Sequence, residues 1–260
     1  MELRMKTVVL DAWRMIVPLP NDRHGPLSPL LLSLTFLTGL VDAFSYLALG
    51  HVFVANVTGS VVFLAFALAG TQGFSRPTLI LALVAFSLGA FAGGRVITKL
   101  RGHRGHLLTV ASACECILVA GAVVLATRNA PSGTGIETGP AQFGLIILLG
   151  LAMGLQNAAA RHLAVPDLTT TVLTLTITGI TADSHPAGGA GSRLGRRGLA
   201  VLAMFVGALV GVLLVIGGSG PISLVLALVV LGGLTATAAV VSRANPSWAH
   251  PMPMPRGRIV

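Results

Sequence analysis

Charged residues are scarce in this 260-residue chain, and acidic residues are scarcer than basic ones. Asp, Glu, Lys and Arg together make up 10% of the sequence, and eight residues are acidic, whereas soluble domains carry about 25% charged residues. Apolar residues reach 54% and the mean hydropathy is +0.87. Such a chain would expose large apolar patches in water. The composition excludes a soluble protein and predicts an all-α membrane protein whose partner is the lipid bilayer.

Cysteine is almost absent, and the catalytic motifs of common enzymes are lacking. Cys114 and Cys116 are the two cysteines; their spacing places them on nearly opposite faces of a helix, so neither a disulfide nor a metal pair is expected. His103 and His106 have no acidic or thiol ligand near them in the sequence, and we expect no metal site there. Zinc-protease, nucleophile-elbow and phosphate-loop motifs do not occur in the sequence. We therefore expect no enzymatic activity and no cofactor.

Eight apolar stretches stand out along the chain. The net charge of +9 would suggest a nucleic-acid partner in a soluble protein, but basic residues between membrane spans mark cytoplasmic loops instead, and no nucleic-acid partner is expected. The first 26 residues carry four basic residues and no signal-peptide cleavage pattern. The apolar stretches cover residues 27–49, 52–69, 79–97, 107–126, 143–160, 168–182, 199–216 and 222–241.

The positions of the basic residues limit how many stretches can cross the membrane. Basic clusters precede the first stretch and follow the third, the sixth and the eighth. If all four clusters are cytoplasmic, an even number of crossings must separate each cluster from the next. Three stretches lie between the first and second clusters, and three more between the second and third. One stretch in each of these two groups therefore does not cross. Stretch 168–182 is short and holds seven threonines, and stretch 52–69 opens with a polar, glycine-containing run. The sequence predicts six spans and two short broken or re-entrant segments. The alternative is a second segment that spans fully.

This interpretation sets the domain boundaries and the location. Residues 1–26 form a cytoplasmic N-terminal segment, 27–241 the membrane domain and 242–260 a disordered, proline-rich tail. We expect a multi-pass membrane protein with both termini in the cytoplasm. The sequence assigns no oligomeric state.

The two halves of the membrane domain, 27–126 and 143–241, resemble each other in spacing. The first four stretches recur as the last four, shifted by 116, 116, 120 and 115 residues. The run GLVDA from Gly39 returns as GLQNA from Gly154. Three spans per half require the halves to be inverted relative to each other, as in many secondary transporters. Two glycine pairs also recur and are expected to pack helices closely: Gly89 with Gly93, and Gly207 with Gly211.

Asp42 is one of two acidic residues inside the apolar stretches, and it lies on a polar stripe. Thr35, Thr38, Asp42, Ser45 and Tyr46 share one face of the first predicted helix. A stripe of hydroxyl groups around one acid is typical of a proton or solute site, although the same groups could simply hydrogen-bond neighbouring helices. We expect two further groups to contribute to the site around Asp42. One is the polar start of the second segment, with Asn56 and Thr58, and the other is Gln156 and Asn157, which occupy the equivalent position in the second half.

Glu115 is the other acidic residue within an apolar stretch. It is a second candidate for proton exchange. The alternative is an ion pair with Arg95 or Lys99 at the membrane surface, reached by extension of the side chains.

The residues around Asp42 resemble a known family. Residues 38–59 resemble the signature of the YoaK-like family of bacterial inner-membrane proteins, a domain of unknown function. The similar runs are TGLVDAFSYL, LG and VFVANVTG. GLQNA from Gly154 and the threonines at 169–171 also resemble that family. The similarity covers about residues 27–241. It implies a multi-span membrane protein without an established substrate.

The sequence favours a small-solute transporter or channel, in which Asp42 is the leading candidate for a proton-linked or solute-contacting group. Its partners would be a small solute or a proton. A membrane scaffold or sensor is the first alternative, and it predicts a dry, fully paired Asp42 stripe. An intramembrane enzyme is the second alternative, and it predicts another polar group within reach of Asp42 or Glu115.

Overall fold

A computed structural model of the chain describes residues 2–17, 24–100, 102–129, 139–165, 173–184, 188, 193–243 and 247–249. Within these ranges the regular structure is helical. The helices are α1 (Glu2–Ile16), α2 (Leu27–Ala48), α3 (Val57–Leu68), α4 (Arg76–Leu100), α5 (Arg104–Asn129), α6 (Pro140–Leu163), α7 (Leu173–Ala182), α8 (Leu194–Ile216) and α9 (Gly220–Arg243), with a 3₁₀ turn at Ser247–Ala249.

Six of these helices are long and apolar enough to cross a membrane: α2, α4, α5, α6, α8 and α9. The prediction of an all-α polytopic protein with six spans is therefore confirmed. The other two predicted segments are short apolar helices, α3 with 12 residues and α7 with 10. At 1.5 Å per residue they extend over about 18 and 15 Å, less than the ~30 Å hydrocarbon core. The alternative of a fully spanning second segment does not fit a helix that begins at Val57.

Glycines end three of the helices in the same way. Gly50, Gly70 and Gly218 adopt positive φ angles of 81°, 84° and 75° after α2, α3 and α8. In each case the next N–H bonds to a carbonyl five residues back, as His51 does with Tyr46 at 2.9 Å. Left-handed residues of this kind satisfy the last carbonyls of a helix and reverse the chain.

Two helix pairs form the most extensive contacts, α4 with α6 and α2 with α8. Glycine makes both approaches possible. A Cβ added at Gly89 would collide with the Leu151 carbonyl, and one at Gly207 would collide with the Phe36 carbonyl. Gly93 approaches Leu155 and Ala158 in the first pair, and Gly211 approaches Leu40 and Ala43 in the second. The four glycines that the sequence assigned to packing thus lie in these two contacts.

The first span of each half lies at the centre of the bundle. α2 and α6 are the two most buried spans, whereas α4, α8 and α9 expose most of their surface. A direct hydrogen bond joins the two central helices: the Gln156 Nε2 donates to Thr38 Oγ1 at 2.8 Å. The core is aliphatic around this bond, and it includes Leu34, Leu37 and Leu149, all at most 2% exposed.

Both ends of the chain contact the membrane domain. α1 packs against the start of α8; the sequence analysis did not predict this helix, because it is too short to register as a span. Trp248 packs against Gly25 and Gly105, and Ala249 is fully buried. The disordered tail predicted for 242–260 therefore does not include the 3₁₀ turn, and α9 itself continues to Arg243. The rest of the tail lies outside the described residues.

Candidate functional site

Asp42 holds the backbone that leads into α3. Its Oδ1 accepts hydrogen bonds from the N–H groups of Val54 and Ala55 at 3.1 and 2.8 Å. Its Oδ2 accepts bonds from the Asn56 N–H at 3.0 Å and from the Asn56 Nδ2 at 2.6 Å. The carboxylate is 4% exposed. Four donors to one carboxylate make a strong, charge-assisted clamp on this segment.

The local sequence explains how the loop reaches Asp42. Gly50 and His51 both take positive φ angles, so the chain turns back along α2 as soon as that helix ends. Asp42 precedes the last residue of α2, Ala48, by six residues, which is about 9 Å along the axis. The start of α3 therefore lies inside the bundle, about 1.7 turns below the end of α2. A carboxylate also stabilises the N-terminal end of a helix dipole.

Asn56 and Ser60 complete the start of α3. The Asn56 carbonyl accepts from the Gly59 N–H at 3.0 Å, which closes the first turn. The Ser60 hydroxyl accepts from the Phe53 N–H at 3.0 Å and donates to the Phe53 carbonyl at 2.8 Å. Thr58 is exposed and forms no part of this cluster. Of the two polar residues that the sequence singled out in this run, Asn56 lies against Asp42 and Thr58 does not.

The rest of the polar stripe on α2 is paired. Thr35 and Thr38 each donate to the carbonyl four residues back, at 2.9 Å, and Ser45 donates to the Asp42 carbonyl at 3.1 Å. Such bonds satisfy a buried hydroxyl within its own helix. Gln156 meets the stripe at Thr38, about one turn of α2 before the clamp at Asp42.

Tyr46 belongs to an aromatic cluster that the sequence analysis missed. Its ring stacks on Phe53 with centroids 5.0 Å apart and meets the His51 ring edge-on at the same distance. Phe63 and Phe74 extend the cluster, again 5.0 Å apart. His51 Nδ1 lies 3.1 Å from the Gly73 carbonyl. The concentration of phenylalanines between 53 and 74 was the available signal. The cluster joins Tyr46 on α2 to Phe63 on α3 and to rings before and after that helix.

Besides Ser28 Oγ, two side-chain oxygens that are buried in the described part of the chain have no hydrogen-bond partner. Gln156 Oε1 is one, although the amide nitrogen of the same residue bonds to Thr38. Glu115 Oε1 is the other, and this side chain is 1% exposed. Neighbouring Asn157 donates to the Met153 carbonyl at 2.9 Å. Buried polar atoms without partners are rare and indicate an unfilled or functional position.

Glu115 lies in the middle of the buried face of α5. Leu108, Ala111, Val119 and Ala122 surround it at helical spacing and are at most 3% exposed. No hydrogen bond or ion pair joins Glu115 to another residue in the part of the chain that the structure describes. Arg95 and Lys99, the partners considered from the sequence, are exposed near the end of α4. Cys116, the next residue, contacts Thr235 Oγ1 at 3.6 Å on α9.

Arg104 is a buried charge that sequence reasoning placed in a loop. Its Nη2 donates to the Leu163 carbonyl at 2.6 Å, and its Nη1 lies 3.5 Å from the Trp248 carbonyl. The side chain therefore satisfies the C-terminal end of α6, where a cation is favourable, and binds the 3₁₀ turn to the bundle. Arg161 and His162, also near that end, are exposed. Among the described residues, no group of three His, Cys, Asp or Glu could hold a metal ion.

The family follows from comparison with known sequences. A family model described as "Protein of unknown function (DUF1275)" matches residues 30–238. The chain belongs to this family. The UPF0700 transmembrane protein YoaK of Bacillus subtilis (strain 168) is 33% identical over 155 residues, 59% of this chain and 65% of the relative. The match thus spans just under two thirds of that relative's length. The resemblance to YoaK-like proteins is confirmed, and no solved structure matches.

The family match includes the whole candidate site. Asp42, the loop at 54–56, Glu115 and Gln156 all fall within residues 30–238. α1 and the 3₁₀ turn fall outside it. The clamp and the buried carboxyl group therefore lie in the part of this chain that matches the family.

Proposed function

We propose that this chain moves a small solute across a membrane and that the movement is coupled to protons. The observation that carries the proposal is the clamped loop at 52–56, whose backbone is non-helical about 9 Å inside the end of α2. Irregular backbone at such a depth occurs where protein or a water-filled cavity surrounds it. In secondary transporters, broken helices of this kind line the solute site.

The proposal includes an inverted repeat, and the helix contacts support it. Gly39 approaches the Met204 carbonyl, and Gly154 approaches the Phe86 carbonyl. The two glycines are 115 residues apart and their partners are 118 residues apart, so each half offers the same surface to the other. α3 and α7 would then be equivalent half-helices entering from opposite sides.

Glu115 is the group that we assign to proton exchange. A buried carboxyl group is stabilised by a donor, a cation or a bound proton, and no described neighbour donates to this one. The helices that contact α5 place their charges near their ends: α9 has no titratable residue before Arg243, those of α6 lie in its last turn, and the basic residues of α4 lie at its start and near its end. Gln156, with its free Oε1, would contribute a neutral contact to the solute or to a water molecule.

Asp42 has a different role in this proposal. Four donors already occupy its carboxylate, so contact with a solute would require the loop to move away. We assign Asp42 to positioning the half-helix, together with Asn56. Opening of this clamp is the conformational step that would expose the α3 N-terminus to a solute.

Purified protein in liposomes tests the function. Vesicles that contain a trapped pH dye receive amino acids, sugars, carboxylates and amines in turn, each as an inward gradient. Protein-dependent pH changes with one class and not the others support proton-coupled transport. Protein-free vesicles are the control for passive entry. No protein-dependent flux with any class, measured by dye and by labelled solute, contradicts the proposal.

A scaffold or sensor is the second candidate, and the paired polar stripe favours it. Thr35, Thr38 and Ser45 are all satisfied within α2, as a dry core requires. The orphan oxygens of Glu115 and Gln156 favour transport instead. Neither proposal assigns the chain catalysis or a cofactor. In both, the protein lies in the bacterial inner membrane with its termini in the cytoplasm, because the basic clusters then fall on one side.

A further inference from the structure

α1 carries an apolar face that no other part of the described chain covers. Val9, Leu10, Trp13, Ile16 and Val17 are 47% to 62% exposed. At 100° per residue they fall within about 120° of the helix circumference. Five large hydrophobic side chains on one exposed face require a non-aqueous neighbour.

The opposite side of α1 fixes its position at one end of the bundle. Met15 is fully buried, and a Cβ added at Gly195 would collide with the Val8 carbonyl. Gly195 is the second residue of α8, a span that begins at Leu194. α1 is therefore held at the depth where a spanning helix enters the membrane, which is the boundary between lipid headgroups and acyl chains.

We propose that this face of α1 binds the bilayer surface and anchors the start of α8 at the interface. α8 also exposes large apolar side chains at helical spacing, namely Leu194, Leu202 and Phe205, which are 42% to 62% exposed. Trp13 is the residue type enriched at membrane interfaces. Arg14 is exposed beside the face, in position for anionic headgroups. The proposal does not depend on transport.

The chain contains two tryptophans, Trp13 and Trp248, so fluorescence can test the proposal directly. Protein is reconstituted in lipids brominated either near the headgroup or near the acyl-chain end. Trp248→Phe leaves Trp13 as the sole reporter, and Trp13→Phe is the matched control, since Trp248 is 9% exposed. If Trp248→Phe does not fold, the difference between wild type and Trp13→Phe gives the same signal.

We expect the shallow bromines to quench Trp13 more than the deep ones, with a blue-shifted emission. Trp248 should lose little fluorescence with either lipid. Quenching of Trp13 by an aqueous quencher such as iodide, without quenching by brominated lipid, would overturn the proposal. Protection from both quenchers would also overturn it, because a second copy of the chain would then cover the face.

Discussion

Asp42 and Asn56 are joined by two hydrogen bonds to the same carboxylate oxygen, one from the Asn56 backbone at 3.0 Å and one from its side-chain amide at 2.6 Å. These bonds join α2, a spanning helix, to the residue that immediately precedes the half-helix α3. The carboxylate thereby replaces the water that the N–H groups of the loop before α3 would otherwise need.

Replacing Asp42 by Asn should destabilise the protein. The amide nitrogen would take the place of one carboxylate oxygen and face two of the four donors, leaving buried N–H groups without acceptors, at a cost of about 3 kcal/mol. The apparent Tm in detergent should fall clearly. Asp183→Asn is the control: Asp183 pairs with Arg197 at 2.6 Å but is 51% exposed, and such pairs contribute about 0–1 kcal/mol. Equal losses in the two variants would contradict the clamp.

Loss of the clamp should also open the loop. Ala55 is 1% exposed, so Ala55→Cys in a background without Cys114 and Cys116 should react slowly with a membrane-impermeant maleimide. Adding Asp42→Ala should accelerate the reaction. Gln72→Cys, at an exposed position, should react quickly in both backgrounds. Unchanged protection of Ala55→Cys without Asp42 would show that other contacts hold the loop.

The glycine contacts give a stability prediction with a matched control. Gly39→Ala and Gly154→Ala place a Cβ against facing backbone, and forced repacking costs about 1–3 kcal/mol or more. Gly232 and Gly233 on α9 have nothing within 4 Å of an added Cβ. Alanine there should raise stability by up to about 1 kcal/mol, since glycine is a poor helix former. Measuring the Tm of the four variants tests this prediction. Unchanged Tm values for Gly39→Ala and Gly154→Ala would mean that the facing helices lie farther apart than in the structure.

The inverted repeat predicts that α3 and α7 end on opposite sides of the membrane. Gln72 follows α3 and Ala182 ends α7, and both are exposed. Single cysteines at these positions should therefore react with an impermeant reagent from opposite sides of oriented vesicles. Labelling of both from the same side would exclude the inverted arrangement, while leaving the six spans unaffected.

Hydropathy and charge position were enough to predict the membrane spans. The six spans follow from apolar stretches of sufficient length, and the parity of the basic clusters identified 52–69 and 168–182 as the short segments. Hydropathy and charge position can be read from short stretches of sequence without knowledge of tertiary contacts. They also placed Asp42 on a buried face.

The partners of buried polar groups could not be predicted in the same way. Asp42 bonds to backbone 12 to 14 residues away, and the turn at Gly50 and His51 decides which N–H groups arrive there. Arg104 was read as one of four loop cations because its partner, the Leu163 carbonyl, is 59 residues away. α1 was missed because it is too short to register as a span, and its position depends on a contact with Gly195 on α8. In each case the deciding contact is tertiary.

The most direct test of the account compares Glu115→Gln with the parent protein in pH-dye liposomes, using a solute class that the parent transports. Thr127→Val is the control, since Thr127 is exposed on the same helix and bonds only to carbonyls of that helix. The account predicts that Glu115→Gln loses solute-driven proton movement while labelled-solute exchange persists and Thr127→Val behaves as the parent. Undiminished proton movement with Glu115→Gln would contradict it.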